Sequence, residues 1–175
     1  MYSNYSTPQL LEAFYRGPER IRTLIEGLSE KEIKFNLIEN KWTIAEIIVH
    51  LADAEIIGAC RLRMMYCGHS EKLPVYDPTQ WAKNMKYKDF NMDEINEAIN
   101  LFHYLRIASY NLFKRFKPSD WLKQGNHPER GLMTIREWLE LYSDHSERHI
   151  EQILHRRKLL NKELKMDLIL KDRLY

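Results

Sequence analysis

The stretch KWTIAEIIVHLADAE, residues 41–55, decides the fold class. Thr43-Ile44-Ala45-Glu46 is a capping box, in which the threonine hydroxyl accepts the backbone N–H three residues on and the glutamate reaches back to the threonine's own N–H. It stands at the head of Ile44, Ile47, Ile48, Leu51 and Leu62, an apolar series at helical spacing. A long helix is predicted from Ile44 to about Cys67, ending at Gly68.

Working outward, a second capping box, Thr134-Ile135-Arg136-Glu137, opens another helix that continues past Ile153. Between the two, Ile95, Ile99, Phe102, Leu105, Tyr110 and Phe113 mark a third helix that starts near Asp93 and must end before Pro118. Toward the N-terminus, Leu10, Leu11, Phe14, Ile21, Leu24 and Ile25 mark one from about Pro8 to Gly27, which Pro18 is expected to kink or split. A short turn follows at Ser29 to Ile33. No segment alternates convincingly as a strand, so the fold class is all-α, a four-helix bundle.

One connection exceeds what a bundle needs. Gly68 to Phe90, which contains LPVYDPTQW, lies between the second and third helices and is longer than the usual linker of roughly 2 to 8 residues. Such a segment is expected to serve as a lid or binding wall. The polar stretch GNHPERG, residues 125–131, reads as a shorter loop. The tail RRKLLNKELKMDLILKDRLY is amphipathic, and its extension from about residue 161 reads as a docking helix or partner contact rather than a membrane anchor.

Composition narrows the function. A chain of 175 residues fits one domain, residues 1–175, with a core of its own. Lys plus Arg at 27 against Asp plus Glu at 25 leaves a net charge of +2, no electrostatic footprint for nucleic acid. No stretch reaches the length of a membrane span and the start lacks a leader pattern, so the cytoplasm is the expected compartment. Cys60 and Cys67 fall two turns apart on one helix, too far for a disulfide, and read as packing cysteines.

The chemistry concentrates in DHSERHIEQI, residues 144–153. His145 and His149, four apart, lie one above the other on one helix face, the spacing by which a helix offers two imidazoles to one metal ion. At roughly 100° per residue they share an arc of about 80° with Ile135, Trp138, Tyr142 and Ile153, while Asp144 and Glu147 face away. The competing reading is a hydrogen-bonded core pair. Two stacked buried imidazoles weigh against it, because each needs partners for both nitrogens and a metal satisfies one nitrogen of each.

His50 is the third candidate ligand, on the flank of its helix's apolar stripe. Asp53, at i+3, can orient that imidazole or accept a proton, or else be a solvated acid on an exposed face. Glu55, rotated about 140° from His50, falls on the apolar stripe. It needs either a metal-site group across the bundle or an ion pair with a Lys or Arg of a neighbouring helix. His69, His103, His127 and His155 read as surface or packing residues.

Taken together, KWTIAEIIVHLADAE, the following helix, PVYDPTQW and YSDHSERHIEQI resemble the DinB/YfiT-like superfamily of four-helix metalloproteins, over roughly Pro18 to Leu160. The likeness is closest to its YfiT branch of metal-dependent hydrolases, some relatives of which are thiol S-transferases. That resemblance implies His50, His145 and His149 as the three ligands of one divalent metal ion, zinc or nickel. It also implies a pocket wall of Tyr76, Asp77 and Trp81, and a homodimer. The tail after Leu160 departs from the shorter family pattern. The expected activity is hydrolysis of a small molecule or transfer of a low-molecular-weight thiol to one, with Asp53 or Glu55 as acid or base. The reading from another class is a metal- or small-molecule-binding stress-response protein without turnover.

Overall fold

The computed structural model describes residues 4–69 and 71–164. Its helices are α1 (Thr7–Ile25), α2 (Glu30–Lys34), α3 (Ile44–Cys67), α4 (Pro78–Asn84), α5 (Met92–Phe113) and α6 (Ile135–Leu159). Both anticipated capping boxes are formed: the Thr43 hydroxyl accepts from Glu46 N at 3.1 Å, and Thr134 serves Glu137 in the same way. Gly68 ends α3 in the left-handed region, with φ +82°. The C-terminal extension expected from about residue 161 lies, from 165 on, outside the described residues.

Four long helices make the bundle. α3 packs against α5 and α6, and α1 packs against the same two, so the consecutive long helices α1 and α3 stand across the diagonal. An up-down ring in chain order would instead place them side by side. This crossing brings α3 beside α6, and with it His50 beside His145 and His149.

The structure departs from the sequence reading in three places. The long connection contains α4 and a 3-10 turn at Tyr87–Asp89. The segment read as a loop after α5 holds a two-stranded antiparallel hairpin, β1 (Gln124–His127) and β2 (Gly131–Thr134), with His127 opposite Gly131. The first strand, QGNH, alternates in burial but has no apolar side chain to show it, and the second, GLMT, does not alternate. Finally, α1 runs unbroken through Pro18. A proline leaves the carbonyl four residues earlier without its helical donor, and here Arg106 supplies one, with Nη1 to Phe14 O at 2.8 Å.

Arg106 belongs to a polar layer across the middle of the bundle. Below the layer lies one apolar cluster, which includes Ile21, Ile48, Ile99 and Ile153; above it lies a second, which includes Phe14, Leu62, Phe113 and Trp138. Between them α1 contributes Gly17 and Pro18, α3 Glu55 and Gly58, α5 Arg106, and α6 His145 and Ser146. Two glycines of this layer are required for close approach: a Cβ on Gly17 would lie 2.7 Å from Arg106 Nη1, and one on Gly58 2.2 Å from the Tyr142 ring. No helix among the described residues is long and apolar enough to cross a membrane.

Candidate metal centre

The three histidines meet on one side of this polar layer. His50 Nε2 lies 3.0 Å from His145 Nε2, and His149 Nε2 lies 3.1 Å from the same atom. One ligand atom from each falls within 4.8 Å of the others. Nitrogens bound tetrahedrally at about 2.0–2.1 Å from one ion stand roughly 3.3 Å apart, so the rings are spaced closely to what such an ion needs.

Two of the opposite ring nitrogens have partners of their own. His149 Nδ1 lies 3.2 Å from Gln152 Oε1, an acceptor, so Nδ1 carries the proton and Nε2 presents its lone pair. His50 Nδ1 lies 3.0 Å from the Tyr76 hydroxyl. The Tyr87 hydroxyl, which donates a short bond to Asp53 Oδ2, interacts electrostatically with Tyr76, so the two tyrosines stand between His50 and Asp53. His50 Nε2, on the opposite side of the ring from Tyr76, faces the cluster.

Electrostatics keep the rings neutral. Burial, and then the neighbouring His149, holds the pKa of His50 down at about 3; burial holds that of His149 at about 4. His145 sits well below the ordinary histidine value, first through burial and then through its two neighbours. Neutral imidazole is the form that ligates a metal. The ring spacing, the His149 tautomer and the suppressed protonation all fit a divalent ion at this point.

The structure settles several positions that the sequence left open. Asp53 is buried against Tyr87, not on an exposed face, and burial raises its pKa. Tyr87 and Tyr76 stand between it and His50. Glu55 pairs with Arg106 of α5, Nε to Oε2 at 2.9 Å, with both side chains 1% exposed. Asp144 and Glu147 do turn away from the histidine arc, but they too are buried, and Glu147 is bonded by Arg20 of α1. Asp77 caps α4, its Oδ1 accepting from the N–H groups of Thr79 and Gln80 at 2.9 Å. Trp81 stands edge-on to the Tyr76 ring at 4.9 Å between centroids.

A cavity of about 350 Å³ opens beside the histidines. Tyr76 lines it, whereas Asp77 and Trp81 stand behind Tyr76 and outside the lining. Trp42 covers the other side, its ring 4.6 Å from that of His50, and its carbonyl accepts from Arg156 Nε at 2.9 Å. Arg61, His127 and Tyr142 complete the far wall. Sequence reasoning missed these. Arg61 was legible in principle, because eleven residues after His50 it returns to nearly the same helix face. His127, read as a surface or packing residue, is 5% exposed because β1 turns it inward.

The DinB superfamily model matches residues 13–153. The chain belongs to the DinB superfamily. A relative from Halalkalibacterium halodurans, named "Putative metal-dependent hydrolase", is 25% identical over 136 residues, which cover 78% of this chain and 77% of the relative. Another of that name, from Geobacillus kaustophilus, is 28% identical over 152 residues, 83% and 82% of the two chains. The solved structure of YfiT from Bacillus subtilis, described as having an unusual four-helix bundle topology, superposes with a TM-score of 0.82 at 17% identity, covering 92% of this chain and 91% of that one. A mycothiol-dependent maleylpyruvate isomerase superposes at 0.68 with 14% identity, over 87% of this chain and 62% of the other. These two likenesses establish the shared fold.

Proposed function

We propose that this chain is a metal-dependent hydrolase of small molecules, with His50, His145 and His149 holding one divalent ion, zinc or nickel. The observation that carries the reading is the convergence of three neutral imidazoles, from two helices, on one point at the edge of a cavity. Three protein nitrogens leave further coordination positions open, as catalytic sites do and closed structural sites do not. All-imidazole donors favour borderline ions such as zinc and nickel over magnesium. The names of the curated relatives agree with hydrolysis.

When bound, such an ion supplies Lewis acidity toward water, a carbonyl oxygen or a thiol. The chain's residues do the rest. Gln152 and Tyr76 hold the His149 and His50 rings in register, and Trp42 and Tyr76 wall the site from bulk solvent. Asp53, with its raised pKa, anchors the Tyr87 side of the tyrosine pair. It acts as a positioning group for His50. Glu55, bonded to Arg106, belongs to the bundle's framework.

Two results are expected. Elemental analysis should find about one zinc or nickel per chain, and hydrolysis of a panel of small amides and esters should vanish on chelation and return with the ion. Hydrolysis that persists in metal-free protein removes the assignment. Bound metal with no turnover on that panel, or on electrophiles offered with a low-molecular-weight thiol, leaves the chain a binding protein. Asp53→Asn should keep its metal within about twofold and lose about tenfold in turnover, the usual scale for a group that orients a ligand. An unchanged turnover would take Asp53 out of the site.

A further inference from the structure

The far wall of the cavity holds a buried cation with no anion. Arg61 is 5% exposed. Its Nε and Nη2 donate to Pro74 O at 3.1 and 2.6 Å, and its Nη1 faces His127 Nε2 at 2.9 Å and Tyr142 Oη at 3.3 Å. Among the described residues no carboxylate lies within ion-pairing reach of it. Glu129 also lines the cavity, but it is exposed and makes no ion pair with Arg61. Of the other buried guanidinium groups, Arg106 pairs with Glu55, whereas Arg156 and Arg157 are answered by backbone carbonyls; Arg61 differs from these two in facing a cavity and a second donor, His127. A charge removed from water ordinarily requires a partner of opposite charge.

The hydrogen bonds around Arg61 also run out of acceptors. His127 Nδ1 accepts the backbone N–H of Glu129 at 3.2 Å, so a neutral ring carries its proton on Nε2. Burial, and then the adjacent Arg61, lower the pKa of His127, against a smaller opposing pull from the exposed Glu129, and favour the neutral ring. The Nε2 proton therefore points at another donor, Arg61 Nη1. Tyr142 accepts from Arg61, which leaves its own hydroxyl proton without an acceptor among the described residues. Three donor groups converge here; the Pro74 carbonyl and the Tyr142 oxygen answer Arg61, and the protons of His127 and Tyr142 have no acceptor among the described residues.

We infer that Arg61, His127 and Tyr142 form an oxyanion subsite that binds the carboxylate of a small substrate whose reactive end lies at the three histidines. A carboxylate supplies what the cluster lacks, one negative charge and two acceptor oxygens. One oxygen can accept from Arg61 Nη1 and His127 Nε2 together, which turns the donor-to-donor contact into two bonds to a common acceptor. Arg61 is the one buried cation of the lining, with the exposed Arg130 at its edge, and its planar fork suits a carboxylate. The same 350 Å³ space is lined by His50, His145 and His149, so a molecule anchored at Arg61 faces the metal ligands. The inference deepens the proposed function and rests on it for the reactive end, whereas the anion subsite itself stands on Arg61, His127 and Tyr142, without the metal.

The test is calorimetric titration with benzoate, with its neutral isostere benzamide, and with inorganic phosphate, on metal-loaded protein. Benzoate should bind, and benzamide should bind at least about tenfold more weakly. Arg61→Gln should weaken benzoate by about tenfold or more while metal content and helical circular dichroism stay unchanged. If Arg61→Gln does not fold, Arg61→Lys decides instead: it keeps the charge but loses the planar fork, and it should still weaken benzoate several-fold. Equal binding of benzoate and benzamide, wild-type benzoate affinity in these variants, or tighter binding of phosphate than of benzoate overturns the proposal. The same titration on His145→Ala separates the two readings. Benzoate binding that persists there and still depends on Arg61 supports the subsite independently of the metal. Benzoate binding that follows the metal and ignores Arg61 rejects the subsite and leaves the metal reading intact.

Discussion

Replacing His145 by alanine is expected to lower bound metal from about one ion per chain to below about a tenth, with helical content preserved. His145 is the sharpest choice because its Nε2 lies between the other two, at 3.0 and 3.1 Å, and without it the remaining pair has no common neighbour. The bundle keeps its two apolar clusters, so the melting temperature should fall mainly by the stabilisation that the metal itself confers. Acid provides a second measurement. Unfolded histidines take up protons near pH 6.5, whereas folded His50 and His149 resist to about 3 and 4. The unfolded state therefore binds more protons in that window. Metal-free wild type should lose stability as the pH falls from about 6.5 toward 4, and should regain it as the pH rises. In His145→Ala the loss should be smaller, because one buried ring that resists protonation is gone. Wild-type metal content in His145→Ala, or acid stability that is the same in both proteins, would reject the cluster as the ligand set.

The parts of this site that were legible in sequence are those written into helical periodicity. Thr43 and Thr134 announced the two helices that carry the histidines, and the four-residue spacing of His145 and His149 put both rings on one face. His50 could be singled out but not placed, because nothing local says that α3 lies beside α6 and diagonal to α1. The link from Asp53 to His50 was invisible for the same reason. It passes through Tyr87, held in a 3-10 turn 34 residues away, and Tyr76, 26 residues from His50. At Glu55 periodicity fixed the burial but left the partner open, and the partner stands 51 residues on. Pro18 failed as a breaker because its penalty is an orphaned carbonyl, and the donor that answers it comes from another helix. Local rules give a residue's face and its needs; only the packing of helices tells which distant group meets them.

Arg106 is where several of those needs meet, and Arg106→Met is expected to destabilise the fold by about 3–5 kcal/mol, the usual cost of removing one partner from a buried ion pair. Three losses combine. Glu55 Oε2 loses its 2.9 Å partner in a site where Oε1 already has no hydrogen bond among the described residues. The Phe14 carbonyl, which Pro18 cannot serve, loses its donor at 2.8 Å, and the Tyr142 carbonyl loses its bond from Nη2 at 2.8 Å. The stack of the guanidinium on the Phe14 and Phe102 rings, at 4.2 and 4.6 Å to their centroids, is replaced by a thioether of similar length. The deficit should also depend on pH. Burial already raises the pKa of Glu55 and Arg106 opposes that rise, so without Arg106 the folded-state pKa climbs further above the unfolded one. The variant's stability is then greatest below the unfolded value near 4.5 and is lost as the pH rises, so its deficit against wild type should shrink between pH 8 and pH 5. Urea denaturation at the two pH values measures this. Adding Glu55→Met should recover most of the loss, since a buried pair replaced whole by apolar groups is often neutral. Both variants should still bind metal, because neither residue belongs to the histidine cluster. An Arg106→Met deficit under about 1 kcal/mol, or one that grows toward acid, would mean that the pair does not hold the polar layer together.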